Sequence, residues 1–221
     1  AIERILSATD GRRSELDNIT TMHGVCRRLL GVDRVASEYH ERRFCEQFGV
    51  PYASRGRRDD GNAAFWVYGD RAPLGNAMFA ARSWVLNTLR EFDEIMDAPS
   101  LQEVSVPEGV VRSFMEGWEE YKREHDLWDF DDLLLEVYEE RLVPHADALH
   151  VYDEFQDFTP LQYEIYRLWR EHADEVYVLG DANQCIYSFR GTTPSFLAGE
   201  ARRHGWSALR RSWRLPFEVW E

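Results

Sequence analysis

At 221 residues, 44% of them hydrophobic and 14% aromatic, the chain can build one large core or two small ones, and the composition argues against disorder over most of it. No run of about 18 apolar residues is present to span a membrane, and the first residues lack the charged and apolar regions of a signal peptide. Acidic residues outnumber basic ones 40 to 26, for a formal net charge of −14, and Lys122 is the sole lysine. An arginine-rich, strongly acidic chain has the style of proteins from salt-loving organisms, where salt screens self-repulsion. A GC-rich genome explains the arginines but not the acidic excess. Cys26, Cys45 and Cys185 stand far apart, without metal-ligand or disulfide spacing, which points to a reducing, cytoplasmic setting.

In chain order, residues 2–6 read as the end of an amphipathic helix, 10–17 as a polar turn region, 18–21 as a short strand and 23–30 as a helix. Residues 38–48, 74–96 and 108–125 carry apolar positions at three- and four-residue spacing, the mark of amphipathic helices. Breaker-rich stretches at 51–61 and 98–107 separate them. This acidic middle region holds no chemical motif and reads as a helical subdomain inserted into something else. Beyond residue 129 the character changes. A helix over 131–142, an apolar strand at 148–152, a helix over 160–172 and a strand at 175–179 make the βαβ pattern of a buried parallel sheet. Both strands run into carboxylates, Asp153-Glu154 and Asp181, at the carboxyl edge where ligands of such sheets sit.

Taken alone, Asp153-Glu154 reads most simply as a solvated acidic turn before a helix. Its neighbours change that. Asp-Glu-Phe-Gln-Asp at 153–157 resembles the Walker B box of the UvrD/Rep/PcrA family of superfamily 1 helicases, usually Asp-Glu-Ala-Gln-Asp. Gly-Asp-Ala-Asn-Gln-Cys-Ile-Tyr-Ser-Phe-Arg-Gly at 180–191 looks like the family's motif III. Leu-Arg-Arg-Ser-Trp-Arg at 209–214 resembles the start of motif IV, with Ser212 and Trp213 in place of Asn-Tyr. Thr-Thr-Met-His-Gly at 20–24 is similar to motif Ib, and Phe-Asp-Asp-Leu at 130–133 matches the box that precedes Walker B. All five stand in the family's order.

The resemblance implies an α/β fold: an incomplete RecA-like parallel sheet with an inserted, mainly α-helical subdomain. Residues 1–34 and 126–221 would belong to the first motor domain and 35–125 to the insertion. It implies an ATP-dependent helicase that couples hydrolysis to movement on single-stranded DNA and to 3′→5′ unwinding of partly duplex DNA, with Mg²⁺ and ATP as cofactors. Asp153 would bind Mg²⁺, and Glu154 would be the catalytic base. Gln184 and Arg214 would face the γ-phosphate. Thr21, His23, Phe130, Tyr187, Phe189 and Arg190 would contact DNA, Tyr187 and Phe189 by stacking on bases. Local charge agrees: between residues 186 and 215 six arginines (190, 202, 203, 210, 211 and 214) face one acid, Glu200.

Each assignment has a plainer alternative. Tyr187 and Phe189 could be core residues, His23 a helix cap, Arg190 a structural or Asp-paired residue, and the basic stretch a solvated helix. Trp66, Trp84, Trp118 and Trp128 read as core, and His145, His150, His172 and His204 as structural or surface residues.

The family's phosphate-gripping loop, Gly-x-x-x-x-Gly-Lys-Ser/Thr, has no counterpart, since Lys122 lies in a helical context with no glycine loop. The expectation is therefore a fragment that is inactive alone and completed by a P-loop segment and a second motor domain. Without its P-loop strand the sheet should show an exposed edge or gap, so rearrangement or self-association is expected. The competing reading is a non-catalytic DNA- or protein-binding module derived from a helicase. An unrelated Mg²⁺-dependent enzyme would leave 180–191 unexplained.

Overall fold

Capping side chains set many of the helix boundaries in the computed structural model, which describes residues 20–54, 72–102, 104–144, 149–185 and 191–209. Thr21 caps α1 (Met22–Leu30), its hydroxyl accepting from the Gly24 N–H at 3.2 Å. Helices α2 (Glu38–Phe48), α3 (Leu74–Asn87) and α4 (Glu108–His125) follow. Helix α5 (Phe130–Glu139) begins in a reciprocal capping box: Asp129 accepts from the Asp132 N–H and Asp132 from the Asp129 N–H, each at 2.9 Å. Strand β1 (Leu149–Tyr152), helix α6 (Pro160–Arg170) and strand β2 (Glu175–Val178) form the βαβ unit, and α7 (Ser195–His204) closes the described chain. Thr159, Pro160 and Gln162 start α6 as cap, fixed first residue and capping-box partner.

The element types follow the sequence pattern, with four corrections. Thr20 and Thr21 are not strand; Thr21 is a helix cap, while 18–19 lie outside the described residues. The helix expected over 74–96 stops at Asn87. Leu89 turns left-handed (φ 55°), and a 3₁₀ segment at Phe92–Asp97 takes over. The helix expected over 131–142 ends at Glu139, just before Arg141, which is also left-handed (φ 52°). Fourth, among the described residues the sheet is covered on one face only. The expectations for 2–6 and 10–17 fall outside the described residues.

β1 and β2 pair in parallel, Leu149 opposite Glu175 and Val151 opposite Tyr177. Alternation puts Leu149, Val151 and Tyr177 on one face, each more than half exposed. On the other face Tyr152, Val176 and Val178 pack against Phe155, Tyr163 and Tyr166. A parallel pair is normally covered on both sides. Here, among the described residues, α6 supplies the aromatic cover of one side only.

Two larger apolar clusters hold the helices. Phe44, Phe79, Phe114 and Trp118 join α2, α3 and α4, with ring centroids as close as 4.9 Å. Cys26, Leu133, Leu134, Leu161, Ile165 and Trp169 join α1, α5 and α6. Each large side chain so buried contributes roughly 1.5–3 kcal/mol. Of the tryptophans read as core, Trp118 is buried, while Trp84 and Trp128 are half-buried against these clusters.

Between the clusters lies a group of charges. Lys122 is buried, with its ammonium 2.9 Å from Glu119, 3.2 Å from Asp129 and 2.5 Å from Asp132. Arg82 meets the same three carboxylates at 2.7, 2.9 and 2.6 Å. Two cations and three acids thereby tie α3 and α4 to the N-terminus of α5. The sole lysine is committed to this network.

Candidate functional site

The chain leaves β1 through Asp153 and turns sharply at Glu154, whose backbone is left-handed (φ 53°, ψ 38°). For a residue with a Cβ this conformation costs roughly 1–2 kcal/mol. Burial of the next side chain offsets the strain. Phe155 is fully buried against Phe158, Tyr163 and Tyr166, and its N–H donates to the Leu179 carbonyl at 3.0 Å. The bulk that Phe155 adds to the motif is therefore core, anchoring the turn to the sheet. Asp153 and Glu154 remain exposed above it, and Asp153 Oδ1 accepts from the Glu154 N–H at 3.0 Å.

A second turn stands beside the first. The Gln156 side chain is fully buried; its Nε2 donates to Glu154 Oε2 at 2.8 Å, and its Oε1 accepts from the Asp181 N–H at 3.0 Å. Gly180 makes the approach possible, because a Cβ there would lie 2.5 Å from Gln156 Oε1. The Asp181 carboxylate accepts from the Gln184 amide at 2.8 Å and from the Asn183 N–H at 3.0 Å. These bonds hold the Asp181 carboxyl below its ordinary range. Glu154 and Gln184, thirty positions apart in sequence, thus belong to one hydrogen-bonded chain. Asp157, which ends the motif, has a buried Oδ1 without a hydrogen-bond partner among the described residues, and burial, then the charge of Glu154, pushes its carboxyl upward.

Among the described residues, no three His, Cys, Asp or Glu side chains converge as a metal cage. The adjacent carboxylates of Asp153 and Glu154 suit an ion such as Mg²⁺, which takes one or two carboxylates and fills its remaining positions with phosphate oxygens and water.

A second constellation forms at the N-terminus of α1. His23 and Phe130 meet edge to face, ring centroids 5.6 Å apart, and Phe130 is 56% exposed. Thr21, exposed, caps the same helix. His23 is not the cap; burial lowers its pKa, favouring the neutral ring. The tertiary structure therefore brings together three of the DNA-contact candidates from the two ends of the helical region.

Tyr187, Phe189, Arg190 and Arg214 lie outside the described residues, as do Arg210, Arg211, Trp66 and His145. Of the remaining basic stretch, Arg202 is exposed, while Arg203 is drawn to the buried Glu200 at 2.9 Å, which also binds Arg170 at 2.8 Å and the hydroxyls of Tyr163 and Tyr166 at 3.0 Å each. Glu200 is a structural hub, and it takes part of the positive charge counted from sequence. His204 lies 3.5 Å from the same carboxylate. Gln156 and Asp181 had no assigned role on sequence grounds, although both stand inside the motifs. The available signal was a polar residue placed between the aromatics Phe155 and Phe158.

Comparison with known proteins bears on the same motifs. The chain is 36% identical over 99 residues to a putative ATP-dependent DNA helicase, YjcD, of Bacillus subtilis, a match covering 41% of this chain and 13% of that protein. It is 41% identical over 90 residues to the ATP-dependent DNA helicase UvrD2 of Mycobacterium tuberculosis, covering 35% of this chain and 12% of the relative. A probable DNA helicase of Mycoplasma pneumoniae is 32% identical over 85 residues, 35% of this chain and 16% of its own length. The chain thus spans only a small part of the relatives that it matches. The sequence profile of the UvrD/REP helicase N-terminal domain matches residues 1–204, and the chain belongs to that family.

Proposed function

We propose that the chain is the Walker B and motif III part of the first, RecA-like motor domain of an ATP-dependent DNA helicase that translocates on single-stranded DNA. Residues 1–34 and 126–221 would be motor domain and 35–125 the helical insertion. The observation that carries the reading is the hydrogen-bonded chain from Glu154 through Gln156 and Asp181 to Gln184, at the carboxyl edge of a parallel strand pair. Parallel α/β sheets present their ligand sites at that edge.

In this scheme Asp153 would hold a Mg²⁺ ion, which would neutralise phosphate charge. Glu154 accepts the proton of a water attacking the γ-phosphorus as the bond to the departing ADP oxygen breaks. The Gln184 amide, both donor and acceptor, faces the γ-phosphate, and Arg214 adds a guanidinium against it. Tyr187 and Phe189 stack on bases of the DNA strand, Arg190 lies along it, and Thr21, His23 and Phe130 line its path. The wide spacing of the three cysteines supports a cytoplasmic setting. No helix among the described residues is long and apolar enough to cross a membrane.

The phosphate-gripping lysine would come from sequence outside this chain, as would the second motor domain, and the chain alone would not turn over ATP. The uncovered face of Leu149, Val151 and Tyr177 is where further motor-domain elements would pack, and in isolation it favours self-association. The test is DNA-stimulated phosphate release by the full-length protein. Glu154→Gln should lower kcat by at least about a hundredfold with ATP affinity retained. Wild-type turnover in that variant would overturn the reading, and absence of turnover in the wild-type full-length protein would favour a binding module.

A further inference from the structure

Gln156 is fully buried, yet its carboxamide is spent on two loops rather than on its own element. A buried amide must satisfy its donors and acceptor, and a helix, a strand or water would serve as well. Here the donor goes to the Glu154 carboxylate at 2.8 Å, and the acceptor receives the Asp181 N–H at 3.0 Å. The Asp181 carboxylate in turn holds the Gln184 amide at 2.8 Å. Glu154 Oε1 has no hydrogen-bond partner among the described residues, so Gln156 supplies the one such bond that orients this carboxylate. Gly180 leaves the space that Gln156 Oε1 occupies, which makes the contact a built feature of the 180–184 turn.

We infer that Gln156 is a positioning residue that locks the Glu154 carboxylate to the Asp181–Gln184 turn, so that the water-activating group and the γ-phosphate-facing amide move as one body. The inference rests on the function proposed above. Its physical content is directional: a carboxylate on a left-handed turn has several rotamers, and one fixed donor selects among them. A displacement of about 1 Å in such a group costs on the order of a hundredfold in rate.

The test uses the full-length protein, with DNA-stimulated ATP hydrolysis as readout and Glu154→Gln as the reference. Gln156→Met keeps the volume and removes both bonds; kcat should fall by about tenfold to a hundredfold while KM for ATP changes by less than about threefold. Gln156→Glu is the discriminating variant. Its carboxylate keeps the side-chain volume but repels Glu154 in place of donating to it. Its kcat should therefore fall at least as far as that of Gln156→Met, again with KM for ATP changed by less than about threefold, which a mere packing role would not produce. Full kcat in Gln156→Met or in Gln156→Glu overturns the inference while leaving the functional reading intact. Undiminished turnover in Glu154→Gln overturns both.

Discussion

The Thr159 hydroxyl donates to Asn87 Oδ1 at 3.1 Å, joining two buried residues 72 positions apart across the seam between α3 and the start of α6. Asn87 also gives its amide to Asp131 at 2.6 Å and to the Ser83 carbonyl at 2.9 Å. Thr159 caps the helix that directly follows the Asp153–Asp157 turn, so the helical region is bonded to the base of the candidate catalytic turn. Replacing Asn87 with Leu leaves Asp131 with the Ser83 hydroxyl at 3.2 Å and removes the acceptor of the Thr159 hydroxyl, and should cost about 1–3 kcal/mol by urea denaturation. Because the partners share one network, Asn87→Leu combined with Thr159→Val should cost less than the sum of the two.

Lys122 is expected to be structural. Lys122→Met removes one of the two cations that meet Asp129, Asp132 and Glu119 among the described residues and should destabilise by about 3–5 kcal/mol. For Asp129, burial by itself raises the carboxyl, but Arg82 and then Lys122 outweigh it and hold the group below the usual carboxylate range. A lowered folded-state pKa means stability that is present above the unfolded value, about 3.9, and is lost as pH falls through the folded one. Wild type should therefore lose stability on acidification below about pH 4, and Lys122→Met should show a smaller acid loss, read from denaturation midpoints at several pH values.

Glu154 should trade stability for position. Glycine adopts its left-handed backbone without steric cost, so Glu154→Gly is expected to raise stability by up to about 1 kcal/mol in thermal unfolding while abolishing turnover of the full-length protein. Destabilisation by the variant would mean that the carboxylate's bond to Gln156 outweighs the backbone strain.

The net charge of −14 leads to a salt expectation. If the surface belongs to a salt-adapted protein, raising the ionic strength from about 0.1 M to about 1 M should increase Tm by several degrees, since repulsion among exposed acids is screened. The buried Arg82–Lys122 cluster is shielded from that screening. An unchanged or lowered Tm would favour codon bias as the source of the arginine content.

What the residues determined by themselves was local. The helical spacing of Phe44 with Phe48 and of Phe114 with Trp118, and the two short apolar runs ending in carboxylates, specify helices and a βαβ order, because each depends on contacts a few positions apart. The ordered motifs at 20–24, 130–133, 153–157 and 180–191 identified the family for the same reason: they are contiguous. Only the tertiary structure decided what crosses between segments. It turned the break after Asn87 into a seam with Thr159, paired His23 with Phe130, drew Glu200 out of the basic stretch into a buried hub, and, among the described residues, left one face of the sheet uncovered. It also made Gln156 the link between two loops. A side chain's partner across 25 positions is set by packing and hydrogen-bond satisfaction, and neither leaves a periodic trace in the sequence.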